Sequence, residues 1–390
     1  MSETLIIRNF GPIKDITLEL KVVNILIGDQ GTGKSTVAKV LDILKDGVNS
    51  AFGDLYLSEN SKEITDEIEK SKFKNDKFSK GFFELLYAYD LKNYLTKESF
   101  ISYENSFCKV TIENHKIQFH EKKTSTAKDL ALDKNTNLNY YIPAYREAYI
   151  LLRNSYPAIL NAKANLPAIL NTFGQHFNNY RERIQHFNFE DIIAINYKYI
   201  NGRDFIILKN GKEISFEEAS SAVNSLVPLL VVFLGIIGYM SQEGQRIYYY
   251  RNCPFVTIEE PELNCFPSTQ NELMKFLIEK IKFKEYQKTG NYYCNLLITT
   301  HSPYILSSLN NLMFAYQVGQ EYNNEVEKIV EKKYWLNPVD ISAHMMLPDG
   351  TCESIIDKEG LIKAEKIDSV STILNKEFNE IFDIELAIKK

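Results

Sequence analysis

An α/β fold built on a mixed β-sheet is predicted by three features of the 390-residue sequence. An apolar run at residues 22–27 leads into a glycine-rich loop and then into a helical pattern, so a strand, a loop and a helix follow one another. Two further apolar runs, at 255–258 and 296–299, have the unbroken hydrophobic character of parallel strands covered on both faces. The third feature is an apolar segment at 226–240, which we interpret as a buried helix because roughly 20 residues are needed to span a bilayer.

The remaining elements follow in chain order. Residues 5–8 and 16–20 flank a turn at 9–12, residues 58–97 are charge-rich and helical, and residues 107–120 alternate as a hairpin does. A polar loop at 124–137 precedes a short strand at 140–143 and a helical region to about 191. Two Asn-Gly turns, at Asn201 and Asn210, predict another hairpin over 195–216. We expect one domain over 1–345, with helical insertions at about 55–100 and 145–192, and a turn-and-helix appendage at 346–390.

The composition is that of a globular protein, with 44% hydrophobic and 25% charged residues. The formal net charge of −6 is mild and the two signs are mixed, so no global field attracts nucleic acid or a membrane. The five cysteines form no Cys-x-x-Cys pair, which argues against a disulfide framework and a zinc site. The N-terminal residues lack the pattern of a secretory signal. We therefore expect a cytoplasmic protein without membrane association.

A phosphate-binding loop is predicted at residues 28–36, which read GDQGTGKST and match GxxxxGK[ST] in full between a predicted strand and a predicted helix. Its glycines let backbone N–H groups surround phosphate oxygens, and the helix N-terminus adds partial positive charge. Lys34 is expected to contact the β- and γ-phosphates, and Ser35 to bind Mg²⁺. The residues expected to bind the nucleotide here are Gly28, Asp29, Gln30, Gly31, Thr32, Gly33, Lys34, Ser35 and Thr36.

Two carboxylates end the strand predicted at 255–258. Beside a phosphate-binding loop, such a pair can place Glu259 near Mg²⁺ and Glu260 near an attacking water as general base. The next strand ends in the sequence THSP, which puts His301 where it can hydrogen-bond the γ-phosphate. A solvated strand end and a capping histidine are the structural alternatives, and the order of the motifs disfavours both.

The three motifs GDQGTGKST, TIEEPELNCFP and ITTHSPYIL, in this order, resemble the ABC ATPase heads of the SMC and RecF kind, and especially the OLD-like group. The resemblance covers about residues 5–306. It implies an ABC-type P-loop ATPase head with a mixed β-sheet and an inserted helical lobe. It also implies that ATP and Mg²⁺ lie between the loop of one copy and the signature loop of another. Glu259 would then be the Walker B magnesium residue, Glu260 the catalytic base and His301 the switch histidine.

The chain departs from the family pattern at several positions. Aspartate is usual where Glu259 stands, so we expect the longer side chain to act through water. The signature loop should lie at 218–225, where Ser220 or Ser221 would reach the opposite γ-phosphate, although both also fit an N-cap. Alanine replaces the expected glycine at position 222, which predicts slow or partner-dependent hydrolysis. At the expected place of the Q-loop, Arg146 is a candidate nucleotide contact.

Other parts of the sequence restrict the biological role. Residues 36–220 mix strands, short helices and prolines, so a long coiled coil is not expected. No DxD pair follows His301, so we expect no Toprim nuclease of the OLD kind. The resemblance then implies an ATPase subunit similar to those of the Septu and PARIS anti-phage systems. Such a subunit forms a homodimer or a larger homo-oligomer and controls a separate nuclease or toxin in response to DNA or a phage protein.

Two alternatives remain open: a RecF-like repair ATPase that clamps DNA, and a scaffold that does not hydrolyse ATP. A basic segment with interleaved aromatic residues would support the clamp, because single-stranded DNA sites have this character. Glu69 and Asp76 within the segment also fit a solvated helix face. The segment contains Lys70, Lys72, Phe73, Lys74, Lys77, Phe78 and Lys80.

Overall fold

The computed structural model describes residues 3–60, 67–122, 139–161, 166–238, 254–282, 294–363 and 376–379. All fifteen described strands fall into three sheets. The strands are β1 (Glu3–Phe10), β2 (Ile13–Leu20), β3 (Val23–Gly28), β4 (Phe100–Glu104), β5 (Cys108–Glu113), β6 (Lys116–Glu121), β7 (Asn139–Ile142), β8 (His186–Asn188), β9 (Ile195–Ile200), β10 (Arg203–Leu208), β11 (Glu213–Ser215), β12 (Phe255–Glu259), β13 (Asn295–Thr300), β14 (Ile341–Met346) and β15 (Cys352–Ser354).

A six-stranded sheet carries the functional elements, in the order β15-β14-β3-β13-β12-β7. Its strands are parallel except for the pairing of β14 with the edge strand β15. The central strands are buried on both faces, as their continuous apolar runs predicted. The loops after β3, β12 and β13 therefore emerge at one edge of the sheet, which is where α/β proteins bind ligands.

Two antiparallel sheets complete the β structure. The first has the order β2-β1-β4-β5-β6 and contains the two predicted hairpins at its ends. The second has the order β11-β10-β9-β8, and Gly202 and Gly211 adopt positive φ in its turns, which confirms the Asn-Gly signals. The sheet content is therefore mixed, as expected.

The helices pack on the sheets and form a lobe between β7 and β12. The longest described helix, α1, has 27 residues, so the described residues contain no long coiled coil. No helix in the described part of the chain is both long enough and apolar enough to span a membrane. The helices are α1 (Lys34–Asn60), α2 (Glu67–Ala88), α3 (Glu147–Leu152), α4 (Tyr156–Asn161), α5 (Ala168–Ile184), α6 (Glu190–Ile193), α7 (Ser221–Ile236), α8 (Pro267–Ile281), α9 (Pro303–Gly319) and α10 (Asn323–Glu327).

Two apolar clusters form the core, one on each side of the six-stranded sheet. The larger cluster contains α7, whose apolar side chains are almost all buried, which confirms the buried helix over its described residues. The second joins β1 and β2 to α1 and α2. In this cluster Phe78 is fully buried and stacks on Phe82, with ring centroids 6.1 Å apart. Phe78 is therefore a core residue and not an exposed base-stacking residue of the basic segment.

Residues 347–363 pack against the six-stranded sheet and its neighbours. Strand β15 extends the sheet, Ile355 and Ile362 are buried in the larger cluster, and Lys14 donates a backbone hydrogen bond of 2.8 Å to Gly350. Turns are present at 348–350 and 358–360, in the first part of the expected turn-and-helix appendage. The polar loop predicted at 124–137, and all but residues 376–379 of the C-terminal stretch beyond 363, lie outside the described residues.

A buried carboxyl group joins α1 to the end of α2 and makes stability depend on pH. Tyr89 donates a 2.6 Å hydrogen bond to Asp42, and burial raises the pKa of Asp42 to about 7. Because this pKa exceeds the unfolded value of 3.8, the native state keeps a proton that the unfolded state releases, so stability falls as the pH rises from about 4 to about 7 and the full loss persists above pH 7. Replacing Asp42 with asparagine should raise the free energy of unfolding at pH 8 by up to about 4 kcal/mol and change it little at pH 4.

Urea unfolding of both proteins at several pH values measures this difference. The exposed Asp76→Asn variant is the control, because it makes the same substitution outside the core. A stability difference between Asp42→Asn and wild type that is the same at every pH would contradict the buried, protonated carboxyl group.

Candidate nucleotide-binding site

The phosphate-binding loop, residues 28–36, connects β3 to α1 and packs tightly on the β1–β2 hairpin. Gly33 has a φ of +93°, and a Cβ atom there would lie 2.4 Å from Ile13 Cδ1, so only glycine fits. The Thr32 hydroxyl donates a 2.8 Å hydrogen bond to the Asp29 carbonyl and closes the loop. The loop geometry therefore rests on both its own glycines and the neighbouring hairpin.

The ammonium group of Lys34 lies at the centre of this loop. It donates to the carbonyl oxygens of Gly28 and Asp29, each at 2.8 Å, and its Nζ atom is 3.5 Å from His301 Nδ1. Burial lowers the pKa of Lys34, while the carboxylates of Glu260, Asp29 and Glu262 oppose this effect. An anion in the loop would favour the charged ammonium, as phosphate binding requires.

Glu260 and His301 meet at the edge of the sheet where β12 and β13 end. The backbone of Glu260 is left-handed, with a φ of +43°, and its N–H donates to the Thr299 carbonyl at 2.8 Å. This sharp turn directs the side chain into the cleft, where Glu260 Oε1 is 3.5 Å from His301 Nε2. Because Lys34 can only donate, His301 Nδ1 accepts and the Nε2 hydrogen faces Glu260. The predicted lysine, histidine and glutamate are therefore adjacent.

Glu259 lies beneath this cleft. Its side chain is buried, and Oε2 accepts a 3.2 Å hydrogen bond from the Ala144 N–H. Burial and then the Glu259 carboxylate raise the pKa of the neighbouring Tyr141. Glu259 does not line the cleft, which is compatible with action on a metal ion through water.

Arg146 differs from its expected role as a nucleotide contact. Its side chain is 0% exposed and donates four hydrogen bonds to backbone carbonyls, at 2.8–3.2 Å. Burial lowers the pKa of Arg146 to about 10. The acceptors include the carbonyls of Glu259 and Glu260, so Arg146 holds the end of β12 in place, and it does not line the cleft. The remaining acceptors are the carbonyls of Pro143 and Ser225.

Glu262 is a positioning residue that the sequence analysis did not identify, although it belongs to the same EEPEL motif. Its Oε1 atom accepts from the Thr300 hydroxyl at 2.6 Å and from the His301 N–H at 2.9 Å. Burial raises the pKa of Glu262, and Oε2 is buried without a hydrogen-bond partner in the described part of the chain. Glu262 therefore fixes the backbone that carries His301.

Ser220 and Ser221 begin α7 and are both exposed. Ser220 stands at the N-cap position, but its hydroxyl accepts no capping hydrogen bond. Neither serine lines the cleft that contains the phosphate-binding loop. Within one copy of the chain, the predicted signature serines therefore lie outside the cleft that contains the phosphate-binding loop.

Several of the predicted residues line one cleft of about 360 Å³, a volume within the range of small-molecule sites. It contains phosphate-loop residues, Glu260 and His301, together with two residues that the sequence analysis missed, Pro12 and Tyr94. The hydroxyl of Ser35 and the nearby carboxylates are hard oxygen donors of the kind that Mg²⁺ prefers. The lining residues are Pro12, Gln30, Gly31, Gly33, Lys34, Ser35, Thr36, Tyr94, Glu260 and His301.

Solved structures similar to this chain include SMC head domains. The SMC head domain from Thermotoga maritima has a TM-score of 0.41 and 10% identity, covering 91% of this chain and 98% of that one. An SMC head bound to the C-terminal winged-helix domain of ScpA has a TM-score of 0.41 and 11% identity, covering 91% and 97%. The SMC head with an extended coiled coil, bound to a ScpA domain derived from Pyrococcus furiosus, has a TM-score of 0.38 and 9% identity, covering 91% and 95%.

Sequence comparison assigns the family. No curated protein matches the chain significantly. Residues 23–307, which include the phosphate-binding loop and both later motifs, match the family described as AAA domain, putative AbiEii toxin, type IV toxin–antitoxin system. With its P-loop, its mixed α/β fold and this match over most of its length, the chain belongs to this family of P-loop ATPase domains.

Proposed function

We propose that this chain binds Mg²⁺-ATP in the cleft and hydrolyses it slowly, with a second copy of the chain completing the site. The observation that carries this proposal is the convergence of Lys34, His301 and Glu260, with His301 within 3.5 Å of both of the others. These are the parts that phosphoryl transfer to water needs: a phosphate cradle, a polar contact for the γ-phosphate and a general base.

Each residue has a distinct role in this reaction. The loop N–H groups and Lys34 hold the β- and γ-phosphates. Ser35 and, through water, Glu259 would hold Mg²⁺, which neutralises developing charge on the phosphate oxygens. Glu260 accepts a proton from the attacking water, and the Nε2 hydrogen of His301 is placed to contact either Glu260 or the γ-phosphate. Arg146 and Glu262 keep Glu260 and His301 in position.

A second copy is included in the proposal because Ser220 and Ser221 are exposed and lie outside the cleft of their own chain. Apposition of two copies would bring these hydroxyls to the phosphates of the other copy. Ala222 at the usual glycine position and Glu259 at the usual aspartate position support slow turnover. Dimerisation is then part of the catalytic cycle.

Mixing two inactive variants tests the shared site. Lys34→Ala disables the phosphate-binding loop, and Ser221→Arg obstructs the signature loop at an exposed position. A mixed dimer still contains one site with an intact lysine and an intact serine, so the mixture should hydrolyse ATP although neither variant does so alone. ATP turnover is measured together with the mass in solution.

A mixture that remains inactive, with an active wild-type protein, would contradict the shared site. A wild-type chain that binds ATP without hydrolysing it would instead favour the scaffold alternative. The matched control for Ser221→Arg is Ser354→Arg, which also replaces an exposed serine but lies on the edge strand β15 and should not reduce turnover.

For the biological role, we propose that the ATPase controls a separate nuclease or toxin effector in bacterial anti-phage defence, in the cytoplasm. The family description, which names a putative toxin, and the resemblance to the Septu and PARIS ATPases support this role. Cys265 and Cys352 are free thiols, which fits a reducing compartment. The DNA-clamp alternative loses one of the two aromatic residues that supported it, because Phe78 is a core residue, while the side chain of Phe73 lies outside the described residues.

A further inference from the structure

Two residues of the cleft have no role in the phosphate chemistry described above. Pro12 and Tyr94 line it together with the phosphate-binding loop. Tyr94 is 37% exposed as a residue, so part of its surface is accessible in the cleft that it lines. Because a nucleotide extends well beyond its phosphates, a ring in the same cleft is a candidate partner for the base.

The ring of Tyr94 is held in one orientation by the β1–β2 turn. Its centroid lies 5.9 Å from that of Phe10, and the two planes meet edge-on at 83°. Gly11 has a φ of +55°, and a Cβ atom there would lie 2.3 Å from Tyr94 Cδ2, so the absence of a side chain makes room for the ring. The aromatic side chain is therefore positioned before any ligand arrives.

Hydrogen bonds fix the segment that carries Tyr94 to the same turn. The Ser99 hydroxyl donates to the Asn9 carbonyl at 2.6 Å, and Asn9 Nδ2 donates to the Glu98 carbonyl at 3.3 Å. The β1–β2 turn also packs on the phosphate-binding loop, since a Cβ atom at Gly33 would lie 3.2 Å from Pro12 Cγ. Tyr94 and the loop that holds the phosphates thus share one rigid support.

We propose that Tyr94 and Pro12 form the base-binding end of the cleft, and that the Tyr94 ring stacks on the purine of a nucleoside triphosphate. This inference rests on the proposed function, since it places the triphosphate in the loop at residues 28–36. Stacking on an aromatic ring uses the π face that every base offers, and the larger purine gains more contact than a pyrimidine. The site therefore selects purine over pyrimidine nucleotides.

The experiment compares nucleotide binding with binding of inorganic tripolyphosphate, which has no base. Tyr94→Leu keeps apolar packing against Phe10 but removes the ring, and Tyr94→Phe keeps the ring. We expect Tyr94→Leu to bind ATP on the order of tenfold more weakly, because base stacking on an aromatic side chain has this effect. Tyr94→Leu should bind tripolyphosphate as tightly as wild type does, and its preference for ATP over CTP should be smaller. Tyr94→Phe should bind ATP as tightly as wild type does.

The control is Tyr87→Leu, which removes a tyrosine that is 69% exposed and does not line the cleft. Equal loss of ATP and tripolyphosphate binding in Tyr94→Leu would overturn the inference, because the base would then contribute nothing. An unchanged ATP affinity in Tyr94→Leu would also overturn the inference, even if the variant lost dimerisation. If either result is found while ATP binding still depends on Lys34, the proposed function stands without this inference. If wild type binds neither ligand, both fail.

Discussion

Replacing Glu260 with glutamine is expected to lower the rate of ATP hydrolysis by about 10²–10⁴-fold while ATP still binds. Glutamine has nearly the same shape and keeps a hydrogen-bond acceptor near His301, but it does not accept a proton from water. The backbone bonds from Glu260 to Thr299 and from Arg146 to Glu260 do not involve the side chain that changes. The substitution therefore isolates the proton-transfer step.

Two measurements check this expectation. Single-turnover hydrolysis gives the rate of the chemical step, and the mass in solution with ATP shows whether unhydrolysed nucleotide keeps two copies together. Glu113→Gln, at an exposed position on β5, is the control and should leave both quantities unchanged. Turnover of Glu260→Gln within a few-fold of wild type would exclude Glu260 as the general base.

Replacing Arg146 with methionine is expected to lower the free energy of unfolding by about 3 kcal/mol or more, because buried carbonyls that lose a charged donor cost about 1–3 kcal/mol each. Methionine fills a similar volume and removes all four donated hydrogen bonds. Two of the freed carbonyls belong to Glu259 and Glu260, so the end of β12 should also lose its fixed geometry. Lysine, with fewer donors and no planar fork, should restore only part of the stability.

Urea unfolding measures the change, and ATP turnover of any folded variant reports the effect on the site. Arg8→Met is the control, because Arg8 pairs with Asp15 at the surface and such pairs contribute about 0–1 kcal/mol. If Arg146→Met were as stable as Arg8→Met, the buried arginine would not hold β12 in place.

Several parts of the fold could be predicted because their signals are local in the sequence. The glycines and Lys34 of the phosphate-binding loop lie within nine residues, and the strand before them and the helix after them have their own hydrophobic patterns. The parallel strands β12 and β13 were recognisable from continuous apolar runs, and their shared direction brings Glu260 and His301 to one edge. The end of α1 was not predicted: the helix extends to Asn60, and α2 packs along it.

The sequence by itself determined the motifs, their order and the chemistry that each residue type can perform. Only the tertiary structure decided which side chains reach the cleft, since burial depends on contacts between residues far apart in the chain. Arg146 binds the carbonyl of Glu259, 113 residues away, and so serves the fold of β12 instead of the nucleotide. Tyr94 enters the cleft only because Gly11 and Phe10 hold its ring. Phe78 is buried because it lies on the face of α2 that packs against Phe119, where it also contacts Phe82.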